Sequence, residues 1–238
     1  MCVEGAEVYG ATAHGAHARY MKCTAHTLVP LPEELSFSTG AAIACGTGTA
    51  WGALQRLGLQ GDHTIAVFGQ GPVGLAAVQL ASRMGARVIA IDINAERLAR
   101  AQQQGADLTI QVGSVASVGD AIRDHTRGLG VDAALEASGA PIARRQAVQS
   151  VKPWGKVCLV GEGGGIELDV SSEMLRKQVT LMGSWTFSIT GQAECARFIA
   201  ERKVPVDELF THRWQLDHAV QAYEVFDQQN SGKGVFLL

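Results

Sequence analysis

Thr64-Ile65-Ala66-Val67-Phe68-Gly69-Gln70-Gly71-Pro72-Val73-Gly74 is a short apolar run that enters three glycines spaced G-x-G-x-x-G, and a helical pattern leaves it. The run Arg87-Val88-Ile89-Ala90-Ile91 follows and ends on Asp92. A glycine triplet alone is weak evidence. Strand, turn, helix, strand and acid in this order predict the first βαβ unit of a dinucleotide-binding sheet. Each residue type has a physical reason. Gly69 permits the tight turn, Gly71 leaves the backbone free to approach a pyrophosphate, and Gly74 lets the helix lie close to the strand. Pro72 suits the first helical position, where its missing N–H has no intrahelical partner. The free N–H groups of that turn, with Val73 among them, and the positive end of the helix dipole would face the phosphates. Val73, Ala77, Leu80, Ala81 and Met84 share one helical face, and Gly85 marks the stop. Asp92 would accept from the adenosine ribose hydroxyls and repel a 2′-phosphate, which favours NAD over NADP. The plain alternative is a glycine-rich turn with a solvated aspartate after it.

Downstream, the alternation of strand and helix continues. Asn94 can cap a helix closed by Gly105, and a strand is expected around Leu108–Val112. A more polar helix lies between Val118 and Arg127. Val131–Ala137 then runs into Ser138-Gly139, and Lys156–Val160 runs into Gly161. Val179–Gly183 is the sixth strand candidate. Six strands separated by helices predict an α/β fold with a doubly wound, six-stranded parallel sheet of the Rossmann type. The tail breaks the pattern with a helix from about Ala193 to Arg202, a strand at His212–Leu216, an amphipathic helix and a closing strand at Gly234–Leu238.

Upstream, Gly5, Gly10 and Gly15 divide the opening into short pieces without a core of their own. Tyr20–Cys23 and Thr27–Pro30 read as short strands, with Pro30 and Pro32 forming a bend, and Ser36 or Ser38 as the cap of a helix through Ala41–Ala44. The expected organisation is a first segment of residues 1–45, a dinucleotide-binding domain of residues 46–190, and a segment of residues 191–238 that returns to the first.

With 238 residues, 47% apolar and 18% charged, the chain can bury a substantial core. A net charge of −3 without a basic cluster argues against nucleic acid or an acidic membrane surface as partner. No apolar run approaches the roughly 20 residues that span a bilayer. The start, Met1-Cys2-Val3-Glu4-Gly5, lacks the charged-then-apolar build of a signal peptide, so a cytoplasmic protein is expected. Five scattered cysteines, an odd number, argue against a disulfide framework.

Together these features resemble the zinc-type alcohol dehydrogenases of the medium-chain dehydrogenase/reductase family. The resemblance rests on Leu28-Val29-Pro30-Leu31-Pro32, Ala41-Ala42-Ile43-Ala44-Cys45-Gly46-Thr47-Gly48-Thr49-Ala50, the glycine fingerprint, Asp92-Ile93-Asn94, Val160-Gly161, Gly183-Ser184-Trp185 and Thr211-His212-Arg213. It covers essentially the whole chain, but the family's fold has more than a hundred further residues before this region. The resemblance therefore implies an N-terminally truncated member, with residues 1–45 a remnant of a GroES-like, mostly β catalytic domain. It assigns Gly69, Gly71, Pro72, Val73 and Gly74 to the pyrophosphate, Asp92 and Arg97 to the adenosine ribose, and Thr49 to the nicotinamide. Ser138, Gly139, Val160, Gly161 and Glu162 would line the cofactor at the ends of the fourth and fifth strands. Cys45 matches one ligand of the family's catalytic zinc, and Cys2 falls where the last of four structural-zinc cysteines would lie. The other ligands have no counterpart in this sequence.

Plainer readings stand beside these. Cys45 can be a small buried hydrophobe, and Arg97 a solvated helical charge. Cys23, Cys158 and Cys195 read as packing. His14 and His17 have ligand-like spacing, and His212 reads as structural. Three functions compete. The first is an NAD-dependent, zinc-type dehydrogenase acting on a small alcohol or carbonyl substrate, with Cys45 and Thr49 at the reacting end. The second is a zinc-free, NADPH-dependent quinone or enoyl reductase, and the third a non-catalytic dinucleotide-binding remnant. The open edge of the sixth strand, with Leu181, Met182, Trp185 and Phe187 on or beside it, is a liability unless covered. Members of the resembled family often pair this edge across a dimer, so the resemblance implies a homodimer.

Overall fold

The computed structural model describes Gly5, residues 7–228 and residues 232–238. They form two compact units: Leu31–Leu209, and the described residues up to Pro30 together with Phe210–Leu238.

The larger unit starts with a helix that changes pitch. Ser36 caps α1 (Phe37–Ala42) by accepting the Thr39 N–H, a wider π turn spans Ile43–Thr47, and α2 (Gly48–Leu57) continues to Gly58, whose φ is +64°. Beyond it run β1 (Thr64–Phe68), α3 (Pro72–Arg83), β2 (Arg87–Asp92), α4 (Ala95–Gln103), β3 (Leu108–Gln111) and α5 (Val118–Asp124). β4 (Val131–Glu136), α6 (Pro141–Ser150), β5 (Val151–Leu159), β6 (Thr180–Gly183) and α7 (Ile189–Arg202) complete it. The sheet order is β3-β2-β1-β4-β5-β6 and every pairing is parallel. This is the doubly wound sheet the alternation predicts, with the chain reversing its winding between β1 and β4.

Parallel strands are covered on both faces, so their sequences are continuously apolar. Ala66, Phe68, Ile89, Ile91, Ala134 and Val157 point to one face, against Val118 and Ile122 of α5 and Ala147 and Val148 of α6. α3 packs on β1 and β2 and also against α2. Its residues Gly74–Ala81 are consequently buried all round, more than the single apolar face its spacing predicts.

Segment boundaries differ from those expected. Residues 31–45 and 191–209 pack within the larger unit. The Ser36 hydroxyl donates to the Asp207 carboxylate at 2.6 Å, and the Trp51 and Phe198 rings lie 4.9 Å apart. In the smaller unit, β7 (Phe210–Gln215) and β8 (Lys233–Leu237) pair in parallel and α8 (Ala219–Asp227) packs on both. Tyr20–Cys23 and Thr27–Pro30 are not strands. Ala25–Thr27 is instead a 3₁₀ turn whose Thr27 hydroxyl bonds back to the Thr24 carbonyl.

Candidate dinucleotide site

The glycine loop leaves β1 at the carboxyl end of the sheet. Gly69 sits at φ +86°, and a Cβ there would come within 2.8 Å of Ser138. A Cβ on Gly74 would lie 1.8 Å from the Gly69 carbonyl oxygen, so helix and turn touch through bare backbone. Gly71 is different. It is extended (φ −73°, ψ −172°), and a Cβ on it would meet nothing within 4 Å. The loop is thus closed behind by Gly69 and Gly74 and open in front at Gly71. No side chain caps α3, and Pro72 opens it, so the N–H groups of its first turn face outward unused by a cap.

Asp92 closes β2 beside this loop and is only 7% exposed. Its Oδ2 accepts the Gln70 N–H at 2.6 Å and its Oδ1 accepts the Asn94 N–H at 2.9 Å. One lone pair on each oxygen is used, which fixes the plane of the carboxylate and leaves acceptor capacity on both. Asn94 also caps α4 by accepting the Arg97 N–H at 3.2 Å, which sets Arg97, half-buried, in the helix's first turn. Gln70, between two glycines, is a residue that the motif reading passes over. Its buried amide donates to the Val67 carbonyl at 2.7 Å and stitches the loop to the strand.

On the other side of β1, the loops after β4 and β5 press against each other. A Cβ on Gly139 would lie 1.9 Å from the Glu162 carbonyl oxygen, and one on Gly161 2.2 Å from the Gly139 nitrogen. Val160 and Gly161 donate their N–H groups to the Glu136 carbonyl at 2.8 and 3.0 Å. The Ser138 hydroxyl and N–H are both committed inward, to the Glu136 carboxylate, so neither is on offer to a ligand. The Glu162 carboxylate accepts from the Trp185 indole at 2.6 Å. Glu136 itself is fully buried, and Arg144 packs beside it with Nε 3.8 Å from Oε2. Neither residue was among the expected site residues. Their signal was a charge out of place: Arg144 shares the apolar helical stripe of Ala147 and Val148, and Glu136 ends an apolar strand.

Cys45 stands on the π turn, which packs against α3, and Thr49 is half-buried on α2. The turn is held open by Gly48, whose Cβ would lie 2.4 Å from the Ile43 carbonyl oxygen. π turns recur at functional sites because they re-aim one side chain without ending the helix. Here the side chain is Cys45. It is exposed, so the packing alternative does not describe it. Cys158 and Cys195 are buried, and burial pushes their thiols up to about 11 and about 12. Both stay protonated at neutral pH and act as small hydrophobes. His17 packs edge-on against Phe236, with ring centres 4.8 Å apart, and hydrogen-bonds the Tyr223 hydroxyl. His212 stacks on Trp214.

A family model described as zinc-binding dehydrogenase matches residues 72–201. The chain belongs to that family. It is 36% identical, over 98% of its length, to an uncharacterized zinc-type alcohol dehydrogenase-like protein, YphC, of Escherichia coli K12, and spans 66% of that protein. An alcohol dehydrogenase of Thermus sp. ATN1 superposes with a TM-score of 0.89 at 27% identity, over 95% of this chain and 66% of that one. A structure described as an NAD-dependent alcohol dehydrogenase gives a TM-score of 0.85 at 25% identity, over 98% and 68% of the two chains.

The donor sets in this zinc-binding dehydrogenase chain suit the two groups its family implies unequally. The open front of Gly71, the uncapped α3 and the fixed Asp92 carboxylate fit a dinucleotide. Zinc does not fit the described residues alone, because nowhere among them do three His, Cys, Asp or Glu side chains gather as ligands. Cys45 supplies one thiol, and Cys2 lies outside the described residues.

Proposed function

We propose that this chain binds NAD in the crevice at the carboxyl end of β1, β2, β4 and β5, as the cofactor half of an NAD-dependent dehydrogenase acting on a small alcohol or its carbonyl product. The observation that carries the reading is Asp92, held by the Gln70 and Asn94 N–H groups beside the open face of Gly71. A carboxylate fixed there hydrogen-bonds a ribose diol and repels a 2′-phosphate, so NAD is preferred to NADP. This is also why the NADPH-dependent reductase reading is the weaker one.

The pyrophosphate is held by free backbone N–H groups of the first turn, that of Val73 among them, and by the α3 dipole, while Gly69, Gly71, Pro72 and Gly74 shape the turn and keep the approach clear. Asp92, with Arg97, holds the adenosine ribose. β4 and β5 lie on the opposite side of β1 from β2, so Ser138, Gly139, Val160, Gly161 and Glu162 receive the nicotinamide half. Thr49 and Cys45, one helical turn apart, serve the reacting end. Bound NAD supplies a hydride acceptor for a carbinol carbon, and the chain's part is to orient the ring and exclude water.

The missing ligand trio among the described residues favours a second reading, in which this chain by itself binds the cofactor without turning over substrate. One set of experiments separates the readings. Calorimetric titration is expected to give tighter binding of NAD than of NADP by about tenfold or more, the scale of one charge-assisted hydrogen bond gained or lost. Tighter NADP binding would move the assignment to a reductase. Alcohol oxidation assayed with zinc, for this chain and for a longer one that carries the family's upstream domain, then distinguishes catalyst from binding module. No oxidation of any alcohol or polyol by the longer protein would sink the dehydrogenase reading.

A further inference from the structure

We propose that Arg144 is a positioning residue for the nicotinamide half of the crevice, clasping the loops after β4 and β5 into one wall. The inference rests on the dinucleotide reading and deepens it. Arg144 lies on α6 and is 9% exposed. Its Nη2 donates to the Gly161 carbonyl at 2.7 Å and its Nη1 reaches the Gly165 carbonyl at 3.4 Å, both in the loop after β5. Its Nε lies 3.8 Å from Glu136 Oε2 at the end of β4. Glu136 in turn accepts the Ser138 N–H at 2.7 Å and the Gly139 N–H at 3.0 Å through Oε1. One planar guanidinium therefore spans from the loop of Gly161–Gly165 to the carboxylate that organises Ser138-Gly139.

Two arguments make this positioning rather than support of the fold alone. Where the loops cross, at Gly139 and Gly161, no side chain fits, so the wall is backbone and cannot adjust by changing rotamers. Its position depends on what grips the backbone from behind. A buried ion pair is also an expensive way to fill an apolar helical stripe, since well-packed hydrophobic residues of similar volume commonly serve stability as well or better. The rigid fork of arginine does what an apolar residue cannot: it donates to two carbonyls of the loop after β5 while setting its charge beside the Glu136 carboxylate.

Sheet order gives the inference its test. Asp92 lies on the β2 side of β1 and the clasp on the β4–β5 side, so loosening the clasp should affect one half of a bound dinucleotide. Two variants are needed: Arg144→Lys keeps the charge and loses the fork, while Arg144→Met with Glu136→Gln removes both charges together. NADH binding is read by nicotinamide fluorescence and ADP binding by calorimetry. The double variant is expected to weaken NADH about tenfold, the order of a lost charge-assisted hydrogen bond, and to leave ADP within about twofold, with Arg144→Lys between it and the wild type. If the double variant does not fold, Arg144→Lys carries the comparison. Unchanged NADH binding, or equal weakening of NADH and ADP, overturns the proposal while the cofactor reading stands. A wild-type chain that binds neither ligand overturns the cofactor reading and the proposal with it.

Discussion

At Gly71 and Gly74 one residue type serves two separable ends. A methyl group on Gly74 would collide with the Gly69 carbonyl at 1.8 Å, whereas one on Gly71 would project into open space from a backbone that any residue adopts. Gly74→Ala is therefore expected to force α3 off the turn and cost about 1–3 kcal/mol of stability, with cofactor binding lost alongside. Gly71→Ala should keep stability within about 0.5 kcal/mol, as surface substitutions do, yet weaken NAD by more than about tenfold by occupying the approach to the pyrophosphate. Thermal melting and calorimetry on the two variants check both, and parallel losses in the two would contradict the division of roles. Such roles are legible in sequence because glycine is informative by what it lacks, and three of them at fixed spacing leave few conformations. Gln70 is not legible in the same way, and Arg144 shows only as a charge within an apolar stripe. The bonds they make go to carbonyls of Val67, Gly161 and Gly165, and backbone acceptors leave no trace in residue identity.

Elements were readable wherever periodicity and a terminator agreed. All six strands of the larger unit lie where apolar runs end in Gly, Asp or Glu, and the helices between them begin at residues that cap or tolerate a first turn. β5 shows where reading fails. It begins at Val151, earlier than its apolar run, and breaks register with β4 between Val131 and Ala133. Pro153 has no N–H for the ladder, and Trp154 takes a left-handed φ of +65° and bonds Lys177 instead, so the strand is interrupted and then resumes. The short N-terminal runs expected as strands pair with no strand among the described residues, and without a partner such a run is free to turn. At the amino ends of the strands, Asp132 of β4 ties three strands together. It accepts the Thr64 N–H of β1 at 2.8 Å and pairs with Lys152 of β5. Burial raises the pKa of Asp132, but the hydrogen bonds from Lys152 and the Thr64 N–H outweigh it and hold the carboxyl below its ordinary 3.8. A carboxyl depressed in the folded state stabilises fully above the unfolded-state pKa, and that stability is lost as pH falls through the folded-state value. Asp132→Asn should therefore cost about 1–2 kcal/mol at pH 7, discounted for the exposed Lys152, and flatten the fall in stability below about pH 4. Denaturant midpoints measured from pH 7 to pH 2.5 test this, and wild-type and variant curves that stay parallel through the acid limb would refute it.

For the molecule as a whole, the six-stranded sheet ends at β6 on one side. β6 bonds to β5 on one side, and its outer side carries no strand among the described residues. Just beyond it in the chain, Trp185 is exposed. Natural sheets blunt such an edge with lysine, proline or a covering element, because it otherwise recruits a further strand. β6 itself reads Thr180-Leu181-Met182-Gly183 and contains none of these blunting residues. The simplest closed arrangement that satisfies it is a second copy related by a two-fold axis, with β6 antiparallel to its own image, since an isologous contact closes on itself and does not propagate. Light scattering at tens of micromolar should accordingly give twice the 25.1 kDa of one chain. Thr180 is exposed at the start of β6, and Thr180→Lys brings two like charges to the symmetric edge with little effect on the covered side, so it should shift the population toward monomer without lowering the melting temperature of the sheet. A wild-type chain that remains monomeric over that concentration range would mean that some other segment covers β6, and the two-fold pairing would have to be abandoned.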